Sequence, residues 1–345
     1  MSEALNDAIT SSSSSAAQRV EGQRRLSATI EASSSSSKIP DETRMGPPTL
    51  RVKDLHKMLS FYEGAFGLRK HSIKKDGGIE VVELSVINGK DQGRSHDPLL
   101  ILIHDPDAKD TPRDFAGLFH YAVLVPDRKS LAEAFLWLQR NRIHFDGFAD
   151  HLVSESLYLH DPEGNGIEIY RDKPRNEWTR DQDGRILMDT LPLDLAGILG
   201  ELSNKEGKAV VVNQERNAQQ KTFPIGTRIG HMHLRVTNLE RSAEFYTRVL
   251  GFHVSADWSA MGAMFLAANG YHHHLGLNTW HSSNGKQHER GEAGLDAFTV
   301  EIPRDSGFTK ELHSRLEDRA LLTELSVNET LIYDPDRIPI IVKSV

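Results

Sequence analysis

The sequence predicts an α+β fold built from four βαβββ modules, preceded by a disordered N-terminal tail. Three observations predict it. Two distant parts of the chain repeat each other, each repeat combines a short amphipathic helix with several β-rich segments, and histidines recur at the start of two predicted strands.

Modules one and three repeat each other at a constant offset of 184 residues, which aligns Leu50–Leu55 with Leu234–Leu239 and Phe61-Tyr62 with Phe245-Tyr246. Apolar residues at helical spacing follow the first strand in both modules, and each helix is expected to end near a glycine, Gly67 or Gly251. Further strands are predicted at residues 79–87 and 99–103 in module one, and at 263–267 and 272–277 in module three.

Modules two and four form a related pair. Module two begins with a strand at His120, continues with a helix that carries Leu131 and Leu138 on one face, and closes with strands around residues 157–162 and Glu168. Module four repeats this order with a strand at 298–303, a helix near 310–318, an Asp334-Pro335 turn and a final strand.

These modules suggest a division of the 345 residues into two domains, a usual arrangement for this length. Residues 46–172 hold modules one and two, and residues 229–345 hold modules three and four. The linker between them, 173–228, is predicted to contain a short helix at 193–202. Residues 1–45 carry two serine runs and few large apolar side chains, which predicts disorder, with an organellar presequence as the alternative.

Composition excludes several classes of function. The chain has no cysteine, which excludes disulfides, thiolate catalysis and cysteine zinc sites. Its formal net charge of −8 gives no basic surface for nucleic acid, and no apolar run is long enough for a membrane span. Neither a membrane nor a nucleic acid is therefore expected as a partner. The N-terminus also lacks the apolar core of a secretory signal, so a cytoplasmic location is expected.

A metal site is the main functional prediction. His120 and His231 open matching strands, and Glu168 lies in a predicted strand between two isoleucines. Two imidazoles and one carboxylate form the facial triad with which Fe(II) oxygenases bind metal while leaving positions for substrate and oxygen. The alternatives are histidines satisfied at strand starts and an inward salt bridge at Glu168.

Three segments resemble the vicinal oxygen chelate superfamily and, within it, the Gram-positive-type catechol 2,3-dioxygenases: Gly230–Phe252, Asn269–Trp280 and Leu157–Tyr170. The resemblance covers residues 46–345. It implies that paired modules curl into two cup-shaped half-barrels, with metal ligands on the first and last strands of the modules.

The ligand positions that this resemblance implies are filled unequally. The first-strand position holds Pro47, His120, His231 and Ala297 in modules one to four, and the last-strand position holds Glu168 in module two and Ile341 in module four. Only modules two and three supply a triad. We therefore expect these two modules to pair into the metal cup, and modules one and four to pair into a second cup without metal.

The resemblance also implies roles for other residues. His273 is the expected acid/base histidine, Tyr158 the substrate-binding tyrosine, and His151 a further acid/base group of the pocket. Strand alternation predicts that His273 faces away from His272 and His274, although surface exposure is the simpler interpretation of this run. His233 is expected to line the cavity, whereas Phe265 and Trp280 are expected in the core.

Together these residues imply an extradiol dioxygenase that uses Fe(II), with Mn(II) as an alternative, to insert O2 into a small aromatic diol beside its hydroxyls. A glyoxalase-type isomerase or lyase is a second interpretation, but such sites resemble a pattern with two carboxylates. A metal-free small-molecule binding protein is a third. The sequence leaves open whether the chain forms a homo-oligomer.

Overall fold

The computed structural model describes residues 38–76, 79–86, 97–182, 184–202, 223–304, 307–319, 323–326 and 328–345. Residues 1–37 of the predicted tail and residues 183 and 203–222 of the predicted linker lie outside these residues. Within the stretch predicted as tail, Ile39 is buried and the first strand already begins at Arg44.

The described residues form sixteen strands, four in each module. Those of modules one and two are β1 Arg44–Val52, β2 Arg69–Asp76, β3 Ile79–Ser85, β4 Leu100–His104, β5 Gly117–Leu124, β6 Gly147–Asp150, β7 Ser154–His160 and β8 Gly166–Asp172. Those of modules three and four are β9 Arg228–Arg235, β10 His253–Trp258, β11 Ala263–Ala267, β12 Leu275–Asn278, β13 Gly294–Ile302, β14 Thr323–Ser326, β15 Glu329–Tyr333 and β16 Pro339–Ser344.

The helices follow the first strand of each module, as predicted, and one more lies in the linker. They are α1 Leu55–Leu59, which continues as a π-helical turn Ser60–Ala65, α2 Arg128–Arg140, α3 Leu195–Gly200, α4 Leu239–Arg248 and α5 Phe308–Glu317. Local sequence sets the start of α2 and α4, because the side chains of Asp127 and Asn238 accept hydrogen bonds from backbone N–H groups in the first turn.

The strands form two curled sheets of eight strands, which confirms the predicted fold class. One sheet, here called the middle sheet, joins modules two and three in the order β10-β11-β12-β9-β5-β8-β7-β6. The other, the terminal sheet, joins modules one and four in the order β14-β15-β16-β13-β1-β4-β3-β2. The predicted pairing of two with three and one with four is therefore confirmed. Since each sheet draws on both halves of the chain, the division into domains at 46–172 and 229–345 stays a prediction.

Both sheets and all four modules contribute to one large hydrophobic cluster, which includes Leu50, Leu131, Leu234 and Leu312. The modules are also tied by repeated polar contacts: Tyr62 donates to Asp161 at 2.8 Å, and Tyr246 donates to Asp334 at 2.9 Å. In each case a helix of one module is bonded to the Asp-Pro turn of another.

The predicted strand at residues 272–277 is wrong in its first half, because β12 begins at Leu275. The His272–His274 run before it is a bent segment, so strand alternation does not apply to it. None of the helices described is long and apolar enough to span a membrane.

Candidate active site

The predicted metal ligands lie on three neighbouring strands of the middle sheet. β5 carries His120, β9 carries His231 and β8 carries Glu168, and Ala122 of β5 is paired with both His231 and Glu168. Oε2 of Glu168 lies 3.0 Å from Nε2 of His120 and 3.0 Å from Nε2 of His231. Two ligands at right angles, each about 2.1 Å from an octahedral metal, are separated by about 3 Å. The spacing therefore fits one shared metal ion.

Burial and hydrogen bonding give a second test of this fit. All three side chains are buried, yet both ring nitrogens of His120 and Nδ1 of His231 lack a hydrogen-bond partner. Buried polar atoms are rarely left unpaired, so this concentration of unpaired nitrogens needs an explanation. Two imidazole nitrogens and one carboxylate oxygen form a donor set suited to Fe(II), with the remaining positions left for other ligands.

The charges of the triad are set by its surroundings. Burial alone would raise the pKa of Glu168, but the adjacent His231 and His120 hold it well below its usual range. Burial lowers the pKa of His231 to about 4. An ionised carboxylate beside a neutral imidazole is the state in which both groups bind a metal ion.

The other oxygen of the carboxylate is held by a serine. The hydroxyl of Ser156 donates to Oε1 of Glu168 at 2.6 Å, which leaves Oε2 directed at the two histidines. Ser156 is fully buried on β7, beside β8. Such outer contacts orient metal ligands and tune their affinity.

A cavity of about 310 Å³ opens above the triad. Its walls are largely aromatic, with Phe119, Trp258, Phe265 and Trp280 among the described residues that line it, and this lining includes no Lys or Arg. The predicted linker supplies part of the cover through Met188, Thr190, Leu191 and Pro192. Phe265 and Trp280, which were expected in the core, both line this cavity, and Phe265 is at the same time a buried apolar residue.

Tyr158 and His151 form a hydrogen-bonded pair in this cavity. Tyr158 is the direct β7 partner of Glu168. Nδ1 of His151 lies 2.8 Å from the carbonyl oxygen of Asp189, which only accepts, so Nδ1 donates. Nε2 of a neutral His151 then accepts from the Tyr158 hydroxyl at 2.7 Å. Burial lowers the pKa of His151, which favours this neutral state.

His273 lines the same cavity, and its ring centroid lies 4.1 Å from that of His231. Its Nδ1 lies 2.8 Å from Nδ1 of His272, whose Nε2 lies 2.9 Å from Oδ1 of Asp172. All three histidines of the run are buried, so surface exposure is wrong for them. His272 and His273 are bonded neighbours because the segment is bent, whereas a strand would place them on opposite faces.

The last-strand position of module three holds a glycine. Gly276 pairs with His233, as Glu168 pairs with Ala122 in module two. A Cβ atom at residue 276 would lie 2.9 Å from Cγ of His233, so no carboxylate side chain fits there without displacing that ring. His233 itself lines the cavity as predicted, and its Nε2 is buried without a partner.

Sequence reasoning missed Ser156 and Asp172, and it placed His272 on the face opposite His273. Asp172 carried one signal: it lies four residues after Glu168 on the same strand, so the two side chains share a face with Tyr170. Ser156 lies two residues before Tyr158 and shares its face in the same way. The contacts of His272 depend on a bend that no strand pattern indicates.

The architecture and the triad together define a class of protein: a fold of paired βαβββ modules with a candidate metal site. Residues 44–169 and 228–313 match the model of the Glyoxalase/Bleomycin resistance protein/Dioxygenase superfamily, and the chain belongs to this family. It is 36% identical over 298 residues to the catechol-2,3-dioxygenase of Bacillus subtilis (strain 168), which covers 86% of this chain and 95% of that protein. The resemblance found in the sequence is thus confirmed at the level of the family.

Solved structures support the fold. A crystal structure of a Bacillus subtilis protein superposes with a TM-score of 0.55 at 11% identity, covering 89% of this chain and 86% of that one. The crystal structure of glyoxalase I from Zea mays gives a TM-score of 0.50 at 13% identity, covering 88% and 92%. At these identities the similarity concerns the fold alone.

Proposed function

We propose that the protein is an extradiol ring-cleaving dioxygenase, which inserts both atoms of O2 into a catechol-type diol next to its hydroxyls. The observation that carries this proposal is the buried triad of His120, Glu168 and His231 at the base of a cavity that also holds His273 and Tyr158. The 36% identity to a protein named catechol-2,3-dioxygenase supports the same activity.

In this proposal the three triad residues hold Fe(II), with Mn(II) as the alternative. The metal, when bound, would ease ionisation of the diol and bring substrate and O2 together. Tyr158 orients the substrate by a hydrogen bond through its hydroxyl, and its partner His151 fixes the direction of that hydroxyl. His273 accepts or returns a proton through Nε2, since its Nδ1 is occupied by His272.

The lining of the cavity supports a diol without a negatively charged substituent. Aromatic side chains form its walls, the described lining residues include no Lys or Arg, and the carboxylate of Asp146 is already bonded to His160. A carboxylate on the ring would lose its hydration there without gaining a cationic partner. Unsubstituted, alkyl- or aryl-substituted catechols are therefore the proposed substrates.

The test is oxygen uptake by anaerobically Fe(II)-loaded protein given catechol, 4-methylcatechol or 3,4-dihydroxybenzoate. We expect uptake with a yellow ring-cleavage product for the first two, and a kcat/KM at least about tenfold lower for the acid. No uptake with any catechol, despite stoichiometric metal, would contradict the proposal and turn attention to isomerisation of thiol adducts. Protein that binds catechols but retains no metal would favour a binding protein.

Gly276 stands where the glyoxalase-type interpretation expects a second carboxylate ligand, and this counts against that interpretation. A cytoplasmic location and a homo-oligomeric state stay predictions.

A further inference from the structure

We propose that Asp172 and His272 are positioning residues that set the proton arrangement of His273. The inference rests on the proposed function, because His273 acts there as the acid/base group. It concerns residues that make no contact with the triad's ligand atoms: β8 ends at Asp172, and His272 lies in the bend before β12.

The hydrogen bonds determine which nitrogen carries each proton. An ionised Asp172 only accepts, so Nε2–H of His272 donates to its Oδ1 at 2.9 Å. The Nδ1 atom of a neutral His272 is then a lone-pair acceptor, and Nδ1–H of His273 donates to it at 2.8 Å. In consequence Nε2 of His273 is left as an acceptor, the form that a general base needs.

The surroundings hold this arrangement in place. The His272 side chain is fully buried, with its ring centroid 4.0 Å from that of Tyr271 and 5.6 Å from that of Trp178. The hydroxyl of Tyr271 lies 3.0 Å and 2.9 Å from the two oxygens of Asp172, which fixes the carboxylate. Because water has little access to His272, its ring cannot readily exchange partners.

The proton balance of the step is simple. The O–H bond of a substrate hydroxyl breaks, an N–H bond forms at Nε2 of His273, and the electron pair stays on the substrate oxygen. The resulting imidazolium keeps its Nδ1–H bond to His272, and the negative charge of Asp172 lies one ring further on. When Nε2 returns the proton to the product, the original arrangement is restored.

The test compares two substitutions of one residue. His272→Phe keeps a ring between Tyr271 and Trp178 but removes the acceptor, whereas His272→Gln retains an amide oxygen that can accept from His273. We expect kcat to fall at least about tenfold in His272→Phe, with KM changed less than about threefold, and to recover partly in His272→Gln. Asp172→Asn, which removes the charge, should lower kcat in the same way.

A second readout does not depend on turnover. Long-range ¹H–¹⁵N correlation spectra of the full-length protein loaded with diamagnetic Zn(II) report which ring nitrogen of His273 is protonated, with His273→Gln used for assignment. We expect Nδ1–H in the wild type and in His272→Gln, and loss of that preference in His272→Phe. His313→Gln, which removes a histidine bonded to Thr330 in the terminal sheet, is the matched control and should leave both readouts unchanged.

The outcomes separate the two proposals. Wild-type kcat in a folded His272→Phe protein, or an Nε2-protonated His273 in the wild type, would overturn the positioning role. A wild-type protein without dioxygenase activity but with the expected proton arrangement would refute the proposed function and leave the hydrogen-bond assignment standing. Should His272→Phe fail to fold, Asp172→Asn and the wild-type spectrum still decide the matter.

Discussion

The middle and terminal sheets have the same strand order, and in every module the first and last strands pair in parallel. Among the described residues, only those of the middle sheet bring two histidines and a carboxylate together. Ala122 pairs with Glu168 in module two, and the matching pairs elsewhere are Thr49 with Ile101, His233 with Gly276, and Thr299 with Ile341. The same backbone arrangement thus accepts a buried carboxylate at one position and apolar residues at the equivalent positions.

This difference teaches that the triad is not a requirement of folding. The terminal sheet closes with residues such as Pro47, Ala297 and Ile341, none of which needs a partner for a charge. Among the described residues, the buried histidine nitrogens without a partner belong to His120, His231 and His233, all in the middle sheet. Burying such groups costs free energy, so their presence on one sheet indicates a function there.

The largest effect is expected from Glu168→Gln, which removes the carboxylate that distinguishes the middle sheet from the terminal sheet. The amide keeps the side-chain volume but removes the anionic ligand, so we expect metal content at micromolar Fe(II) to fall below half and turnover to fall more than about a thousandfold. Metal analysis and oxygen uptake measure both. Ile341→Val alters the equivalent position of the terminal sheet and should change only stability, by about 1 kcal/mol. Full activity in Glu168→Gln would remove this carboxylate from the proposed site.

The next prediction concerns Gly46 and Gly230, which occupy equivalent positions in the internal repeat. A Cβ at Gly230 would lie 1.8 Å from the hydroxyl of the fully buried Tyr170, whereas one at Gly46 would meet the side chain of Thr299 at 2.9 Å. We expect Gly230→Ala to lower the free energy of unfolding by about 3 kcal/mol and Gly46→Ala by about 1 kcal/mol. Urea denaturation measures both. Equal losses would show that the middle sheet is not the more tightly packed one at this position.

A third prediction compares the two Asp-Pro turns, in which Asp161 and Asp334 accept hydrogen bonds from the hydroxyls of Tyr62 and Tyr246. Burial raises the pKa of Asp334 to about 7, with Asp336 acting in the same direction, while N–H groups of Asp336 and Ile338 and the Tyr246 hydroxyl oppose it. A carboxyl group whose folded pKa is raised stabilises the protein fully below its unfolded pKa of about 4, and that contribution is lost as pH rises through about 7.

Asp334→Asn, which does not titrate, should therefore gain about 2–3 kcal/mol relative to the wild type between pH 5 and pH 8. Urea denaturation at several pH values measures the difference. The matched variant is Asp161→Asn: burial also raises the pKa of Asp161, but Asn165 opposes the shift with both its amide side chain and its backbone N–H. A difference that does not change with pH would show that Asp334 is ionised throughout this range.

Much of this comparison could be predicted from the sequence. The offset between modules one and three aligned equivalent positions, and the uneven distribution of His120, His231 and Glu168 over those positions predicted which modules pair. That prediction was possible because metal ligation needs specific side chains at specific positions of a module. Aligning the repeated modules identifies those positions, so their residues can be compared.

What the sequence did not predict depends on long-range or irregular structure. The bend at His272 breaks the two-residue alternation, and only the folded chain brings Asp172 beside it. The linker was predicted to be a simple connection because most of its residues show no hydrophobic periodicity. In the structure Leu191 forms a β-bridge with Asp150 and helps to cover the cavity. Phe265 and Trp280 looked like core residues because an aromatic side chain is equally suited to a core and to a cavity wall.

The smallest predicted effect tests how the middle sheet holds its carboxylate. Ser156→Ala removes the hydroxyl that donates to Oε1 of Glu168 at 2.6 Å, so the carboxylate gains rotational freedom and we expect Fe(II) affinity to fall about tenfold. Competition with a fluorescent metal chelator measures the change. The control in the terminal sheet is Thr330→Ala, which removes a strand hydroxyl that contacts His313 and should leave metal affinity unchanged. A Ser156→Ala protein with wild-type affinity would show that the two histidines and the β8 backbone orient Glu168 without help from β7.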